Sequence, residues 1–196
     1  METKEPTYSF ADVEFHRWVR DLVRDKPRFI AIDGRGGAGK STLAAWIADE
    51  IGAAVVHVDD VSWNFSRFDW AEELQRNIIS PLEQGSAVDY RPPGWISHNR
   101  SGSIRVPADA PVVIIEGTGI IRPEFDWEAS VWVAGNLEAQ RQRCIDRGED
   151  PRFFDEWQEE EIPFLDRMEP WANARYIVDG QDVTSETIGV AETSDF

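Results

Sequence analysis

The sequence predicts an α/β protein: a mostly parallel sheet of five strands with helices on both faces and a small helical lid. Three observations carry that prediction. Short apolar runs alternate with segments of helical period along the 196 residues, a pattern of strand, crossover helix and parallel strand. The first run, Phe29-Ile30-Ala31-Ile32, opens onto GRGGAGKS at residues 34–41, which satisfies G-x-x-x-x-G-K-[ST] in full. Two later runs end in carboxylates, Asp59 and Asp60 after one and Glu116 after the other, at the strand ends where ligands of open α/β sheets bind. The fold class is that of the P-loop NTPases.

The chain reads as a single domain over 1–196, with a core at about 28–180, a substrate-side insertion at about 88–107 and a lid at about 137–155. A net charge of −17 without any basic run argues against a nucleic-acid partner. The single cysteine, Cys144, permits no intramolecular disulfide and reads as a small buried hydrophobe. Neither a signal peptide nor an apolar run of membrane-spanning length is present, so no membrane partner and a cytoplasmic location are expected. A homo-oligomer stays open. The nine tryptophans are expected to pack the core and lids.

In chain order, residues 1–8 are polar and expected to be loose, and Ser9 can cap a helix carrying Phe15, Val19, Leu22 and Val23. Pro27 ends it. After the strand at 29–32 and the glycine-rich loop, Leu43, Ala44, Ile47, Ala48 and Ile51 recur at helical spacing over 40–51, closed by Gly52. Residues 54–58 form the second strand. Trp70, Leu74, Ile78 and Leu82 mark a helix by i+4 spacing, stopped near Gly85. The stretch 88–107 has Pro and Gly at its centre and reads as a loop or small hairpin. Residues 112–115, 130–134 and 176–178 supply the remaining strands, with a helix at 137–147 closed by Gly148. Residues 156–161 should be helical on an acidic face, and Pro163 should kink or stop that helix. The acidic residues 181–196 read as a weakly ordered tail.

The chemistry begins at the loop. Gly34, Gly36, Gly37 and Gly39, with Ala38 between them, bring successive backbone N–H groups towards one anion. Lys40 is placed to reach the outer phosphates of ATP, the Ser41 hydroxyl to ligate Mg²⁺, and Thr42 to follow at the positive end of the helix. Asp59 stands where an acceptor hydroxyl could be aligned, as base or Mg²⁺ ligand; the plain alternative is a turn cap. Asp60 reads as structural. Glu116 fits a carboxylate that holds Mg²⁺ directly or through water, against a solvent-facing loop acid. Arg141 and Arg143 could close over the triphosphate or belong to a solvated helix face.

Taken together, IDGRGGAGKSTLA, HVDD at 57–60 and VVIIEG at 112–117 resemble the uridine kinase (uridine–cytidine kinase) group of P-loop kinases. Phe68 and Asp69 match a Phe-Asp pair that lines the ribose pocket in that group. WISHNR at 95–100 is similar to a stretch whose aromatic residue and histidine, here Trp95 and His98, contact the base. Arg147 and Gly148 match an Arg-Gly of its lid. The resemblance implies Asp59 as catalytic base, Ser41 and Glu116 as Mg²⁺ residues, and Arg147 closing over the nucleotide. There are departures. Pro93 and Gly94 replace a Tyr-Asp, Val61 and Ser62 replace a Phe-Tyr, and two lid arginines fall on Ala139 and Gln142. ATP handling looks retained and the acceptor pocket altered.

The expected activity is transfer of the γ-phosphoryl group of ATP, with Mg²⁺, to a hydroxyl of a small molecule, a nucleoside such as uridine or cytidine being the first acceptor to try. Two alternatives stand beside it: a kinase of a non-nucleoside alcohol (a sugar, a vitamin precursor or an antibiotic), and a nucleotide-dependent switch or binding ATPase.

Overall fold

Seven strands form the main sheet of the computed structural model, which describes residues 3–63, 67–148, 150–181, 183–184 and 186–191. In chain order the elements are β1 (Phe10–Glu14), α1 (Phe15–Leu22), β2 (Phe29–Gly34), α2 (Lys40–Ile51), β3 (Ala54–His57) and α3 (Val58–Ser62). A helical rod follows, α4 (Ala71–Leu74), a π-helical turn (Gln75–Ile79) and α5 (Ser80–Glu83). Then come β4 (Val88–Tyr90), α6 (Pro93–Ser97), β5 (Ile104–Val106), β6 (Val113–Glu116) and β7 (Ala129–Ala134). The chain continues through α7 (Leu137–Asp146), α8 (Pro151–Met168), α9 (Pro170–Asn173), β8 (Tyr176–Asp179) and β9 (Thr187–Ala191).

The sheet order is β1-β9-β8-β7-β2-β6-β3. All five strands expected from the apolar runs are present and mutually parallel, with β2 between β6 and β7. The period of two along β2 sends Ile30 and Ile32 to one face and Phe29 and Ala31 to the other. Ile30 and Ile32 meet Leu43 and Ile47 of α2 and Phe15, Trp18 and Leu22 of α1. Phe29 and Ala31 meet Trp70, Leu74, Ile78 and Leu82 of the helical rod. Burying side chains of this size contributes about 1.5–3 kcal/mol each.

Several expectations are corrected. The sheet has seven strands rather than five, because β1 and β9 pair antiparallel with each other, from Phe10 opposite Ala191 to Glu14 opposite Thr187. These strands lie where a helix lead-in capped by Ser9 and a weakly ordered tail were expected. Helix α1 instead starts at Phe15 with Glu14 at its N-cap. Strand β9 in turn pairs antiparallel with β8, Val190 opposite Val178, so both strands depend on distant partners and neither shows in local sequence. Residues 3–5 are also tied down: Thr3 Oγ1 donates to Asp166 Oδ1 at 3.0 Å, and Glu5 pairs with the buried Arg35.

Of the kink or stop expected at Pro163, the stop does not occur, since α8 runs on to Met168. A proline inside a helix costs about 3 kcal/mol, and burial of Phe154, Ile162, Phe164 and Leu165 on one stripe offsets more than that. Glu161, expected on an exposed acidic face, is fully buried. The insertion at 88–107 is a hairpin, β4 against β5, with α6 between them. No helix among the described residues is long and apolar enough to cross a membrane.

Candidate nucleotide and acceptor site

Strand β2 is the switch point of the parallel sheet, with β3 and β6 to one side and β7 and β8 to the other. The crevice beyond its C-terminal end is where such sheets bind ligands. The glycine-rich loop fills that position and leads into α2, whose N-cap Gly39 has φ 103°. Only glycine fits at 37, where φ is 73° and a Cβ would lie 2.6 Å from the carbonyl oxygen of Gln140 on α7. The loop is therefore pinned between β2 and α7.

Lys40 Nζ donates to the Arg35 carbonyl at 2.9 Å and to Thr118 Oγ1 at 3.2 Å. Ser41 Oγ donates to Glu116 Oε1 at 2.9 Å, and His57 Nδ1 lies 2.5 Å from the same oxygen. Asp59 sits in the first turn of α3, just past β3. One cavity of about 480 Å³ gathers these groups. Its floor is Gly36, Gly37, Gly39, Lys40, Ser41 and Thr42; Asp59, Glu116 and Thr118 stand at its side; Arg147 and Cys144 close it from α7; Trp63, Arg67, Phe153, Phe154 and Trp157 form the remaining wall.

Asp59 opens onto this cavity while protein crowds it on the other sides. Burial pushes its carboxyl above the usual range, with Lys40 pulling the other way. Burial also pushes Glu116 up, but His57, Lys40 and Ser41 outweigh it and the net shift is downward. The hydrogen bond to Glu116 raises the pKa of His57. Two neighbouring carboxylates are thus driven apart, one towards holding a proton and one towards staying ionised.

Those donors fit a hard divalent cation: a serine hydroxyl and a carboxylate 2.9 Å apart, with a second carboxylate on the same cavity wall. Among the described residues no group of three or more His, Cys, Asp and Glu side chains could hold a metal by itself. Magnesium there would take its other ligands from phosphate oxygens and water.

Of the residues singled out in the sequence, the cavity brings together Gly36, Gly37, Gly39, Lys40, Ser41, Thr42, Asp59, Glu116 and Arg147. Gly34 and Ala38 are buried beneath the loop. Arg143 points to the back of the loop, where Nη1 donates to the Gly180 carbonyl at 2.8 Å. Of the acceptor-side residues Asp59 lines the cavity, and Phe68, Asp69, Trp95 and His98 do not. Phe68 stacks on Phe164 at 4.0 Å, and Asp69 does not line the cavity. Trp95 is buried and donates to the Asp60 carbonyl, while His98 stacks on Trp63 at 4.5 Å. Asp60 holds Arg100, which lies over the Trp95 ring.

The sequence reading passed over Asp33, Thr118, Trp157 and Glu161. Thr118 had a signal, since it follows Glu116-Gly117 at a strand end. Asp33 closes the strand before the loop, and its three backbone partners, Gly34, Gly119 and Ile121, are seen only in the fold.

The strand order, the loop after β2 and the carboxylates at the ends of β3 and β6 define a protein with the P-loop NTPase fold. The NB-ARC domain family, also of that fold, matches residues 13–93. Among solved structures, a candidate fructose transport system kinase from Silicibacter sp. TM1040 aligns with TM-score 0.57 at 17% identity, over 82% of this chain and 95% of that one. A possible uridine kinase from Bacillus stearothermophilus aligns with TM-score 0.51 at 18% identity, over 82% of this chain and 98% of that one. No curated protein matches. Likeness at these identities speaks for the fold, and the chemistry has to be argued from the site.

Proposed function

We propose that the chain is an ATP- and Mg²⁺-dependent kinase that phosphorylates a hydroxyl of a small molecule. The observation that carries this is the placement of Asp59, a carboxylate with raised proton affinity, in the same cavity as Lys40, Ser41 and Glu116. A nucleotide switch would need a group that positions water, and has no use for an acceptor-side base. The two structural neighbours, described as a possible uridine kinase and a candidate fructose transport system kinase, agree with a small-molecule acceptor.

In this reading the loop amides and Lys40 hold the outer phosphates, and Lys40 leaves Thr118 and the Arg35 carbonyl to do so. Ser41 and Glu116 would hold Mg²⁺, which would supply charge neutralisation at the phosphates. Asp59 accepts the proton of the acceptor hydroxyl as its oxygen bonds to the γ-phosphorus and the bond from that phosphorus to the β–γ bridging oxygen breaks, releasing ADP. Arg147 faces the same cavity and adds positive charge near the phosphates. Phe154 and Trp157 give the cavity an apolar side, while Trp63 and Phe153 are exposed at its wall.

A nucleoside remains the first acceptor to try. A non-nucleoside alcohol is favoured by a specific observation: Trp95 is buried against the Asp60 carbonyl and His98 stacks on the wall residue Trp63 without lining the cavity itself, while the cationic Arg67 lines it. The test is ADP release from Mg·ATP with a panel of nucleosides, sugars and other alcohols. Stimulation by one acceptor supports the kinase, and slow acceptor-independent hydrolysis supports a switch. Asp59→Asn should lower acceptor-dependent turnover by about 10²–10⁴-fold with ATP affinity nearly unchanged; wild-type turnover in the variant would remove Asp59 from the mechanism.

A further inference from the structure

Glu161 is a fully buried carboxylate on α8, 125 residues along the chain from the loop it touches. Its Oε1 accepts from the Gly36 backbone N–H at 2.8 Å and from Trp157 Nε1 at 2.7 Å. Thr118 Oγ1, itself bonded to Lys40 Nζ, lies 3.3 Å from the same oxygen. Gln158 Nε2 donates to Oε2. One side chain therefore joins the phosphate loop, the lysine network and the indole that forms part of the cavity wall. Helix α8 carries Phe153 and Phe154 of that wall as well.

We infer that Glu161 is a positioning residue that yokes the Gly36 turn of the phosphate loop to the Trp157 wall of the cavity. The inference rests on the loop binding a nucleotide. When phosphates draw Lys40 away from Thr118, the hydrogen bonds around Glu161 redistribute, and Trp157, held by the same oxygen, registers the change. The yoke needs acceptors in the right places more than it needs charge. In Glu161→Gln the amide oxygen still accepts from Gly36 and Trp157. Its new N–H₂ can donate to a rotated Gln158, whose Oε1 has no partner among the described residues. In Glu161→Ala the Gly36 N–H, Trp157 Nε1 and Gln158 Nε2 lose their acceptor at once.

The experiment is ¹⁹F NMR of the full chain labelled with 5-fluorotryptophan, the Trp157 resonance being assigned by its loss in Trp157→Phe, with ATP affinity measured in parallel by calorimetry. Adding Mg·ATP should move the Trp157 resonance in the wild type and in Glu161→Gln, whose dissociation constant stays within about threefold of wild type. Glu161→Ala should bind ATP about tenfold more weakly and show no such movement. If the wild type binds ATP while the Trp157 resonance stays still, the yoke is overturned, and this limb needs no variant to fold. Wild-type affinity and signal in Glu161→Ala would overturn it too, as would several-fold tighter binding by Glu161→Gln, which would mean the carboxylate opposes phosphate. Absence of ATP binding to the wild type overturns the nucleotide reading and the yoke together.

Discussion

Asp33 holds the root of the phosphate loop. Its Oδ1 accepts from Gly34 and Gly119 N–H at 2.7 and 2.8 Å, and its Oδ2 from Ile121 N–H at 2.8 Å, all without contact with solvent. Burial pushes its pKa up to about 6, against those three bonds and Lys40. The folded state therefore holds a proton that the unfolded chain releases between about pH 4 and pH 6, and this group's contribution to stability falls as pH rises through that window and is flat above it. Asp33→Asn loses the acceptor for Ile121 and should destabilise by about 1–3 kcal/mol. Urea unfolding at pH 4 and pH 7 should show a larger deficit at pH 4, where only the wild type gains from protonation. Equal deficits would mean that Asp33 is ionised at both. Lys40 and Ser41 were legible because their chemistry depends on residues beside them. Asp33 and Glu161 were not, because their partners stand 86 and 125 residues away.

The N-terminal strap makes the corresponding case for elements. Arg35, inside the phosphate loop, is buried between the rings of Trp132 and Trp171 at 6.0 and 5.9 Å and paired with Glu5. The other oxygen of Glu5 accepts from Trp132 Nε1 at 2.6 Å. Removing one partner of a buried pair leaves a charge uncompensated, so Glu5→Ala should cost about 3–5 kcal/mol in denaturant unfolding. The double change Glu5→Leu with Arg35→Met should cost less than the single one; a larger loss in the double variant would count against the argument. Helix α2 could be read from sequence because its apolar period and the Gly39 and Gly52 caps are local. Strands β1 and β9 are five residues each; β1 pairs with β9 from the far end of the chain, and β9 also with β8. The continuation of α8 through Pro163 was hidden for a related reason, since it depends on the packing of Phe164 and Leu165 against Trp132 and Trp171.

For the whole molecule, a charge of −17 on 196 residues implies self-repulsion in the compact state. Screening should relieve it: the melting temperature should rise by about 2–5 °C between 20 mM and 500 mM NaCl, where the Debye length falls from about 20 Å to about 4 Å. A flat or falling melting temperature in calorimetry would place the acidic groups too far apart to matter. The parallel core was legible at this scale because buried parallel strands are continuous apolar runs, as at 29–32 and 112–115. The cavity wall was less so. Trp63, Arg67, Phe153 and Trp157 come from two separate segments that meet only once the sheet places them.

The pairing of β1 with β9 also sets a schedule for synthesis. Strand β1 is made well before its hydrogen-bonding partner, which does not exist until residues 187–191 are added. Throughout translation Phe10 and Val13 wait on an open strand, and the adjoining face of α1 lacks Ile188, which packs with Phe15 in the finished core. Such an edge is a template for pairing with another nascent chain. The interval between making β1 and making β9 is therefore when that edge is open to such pairing.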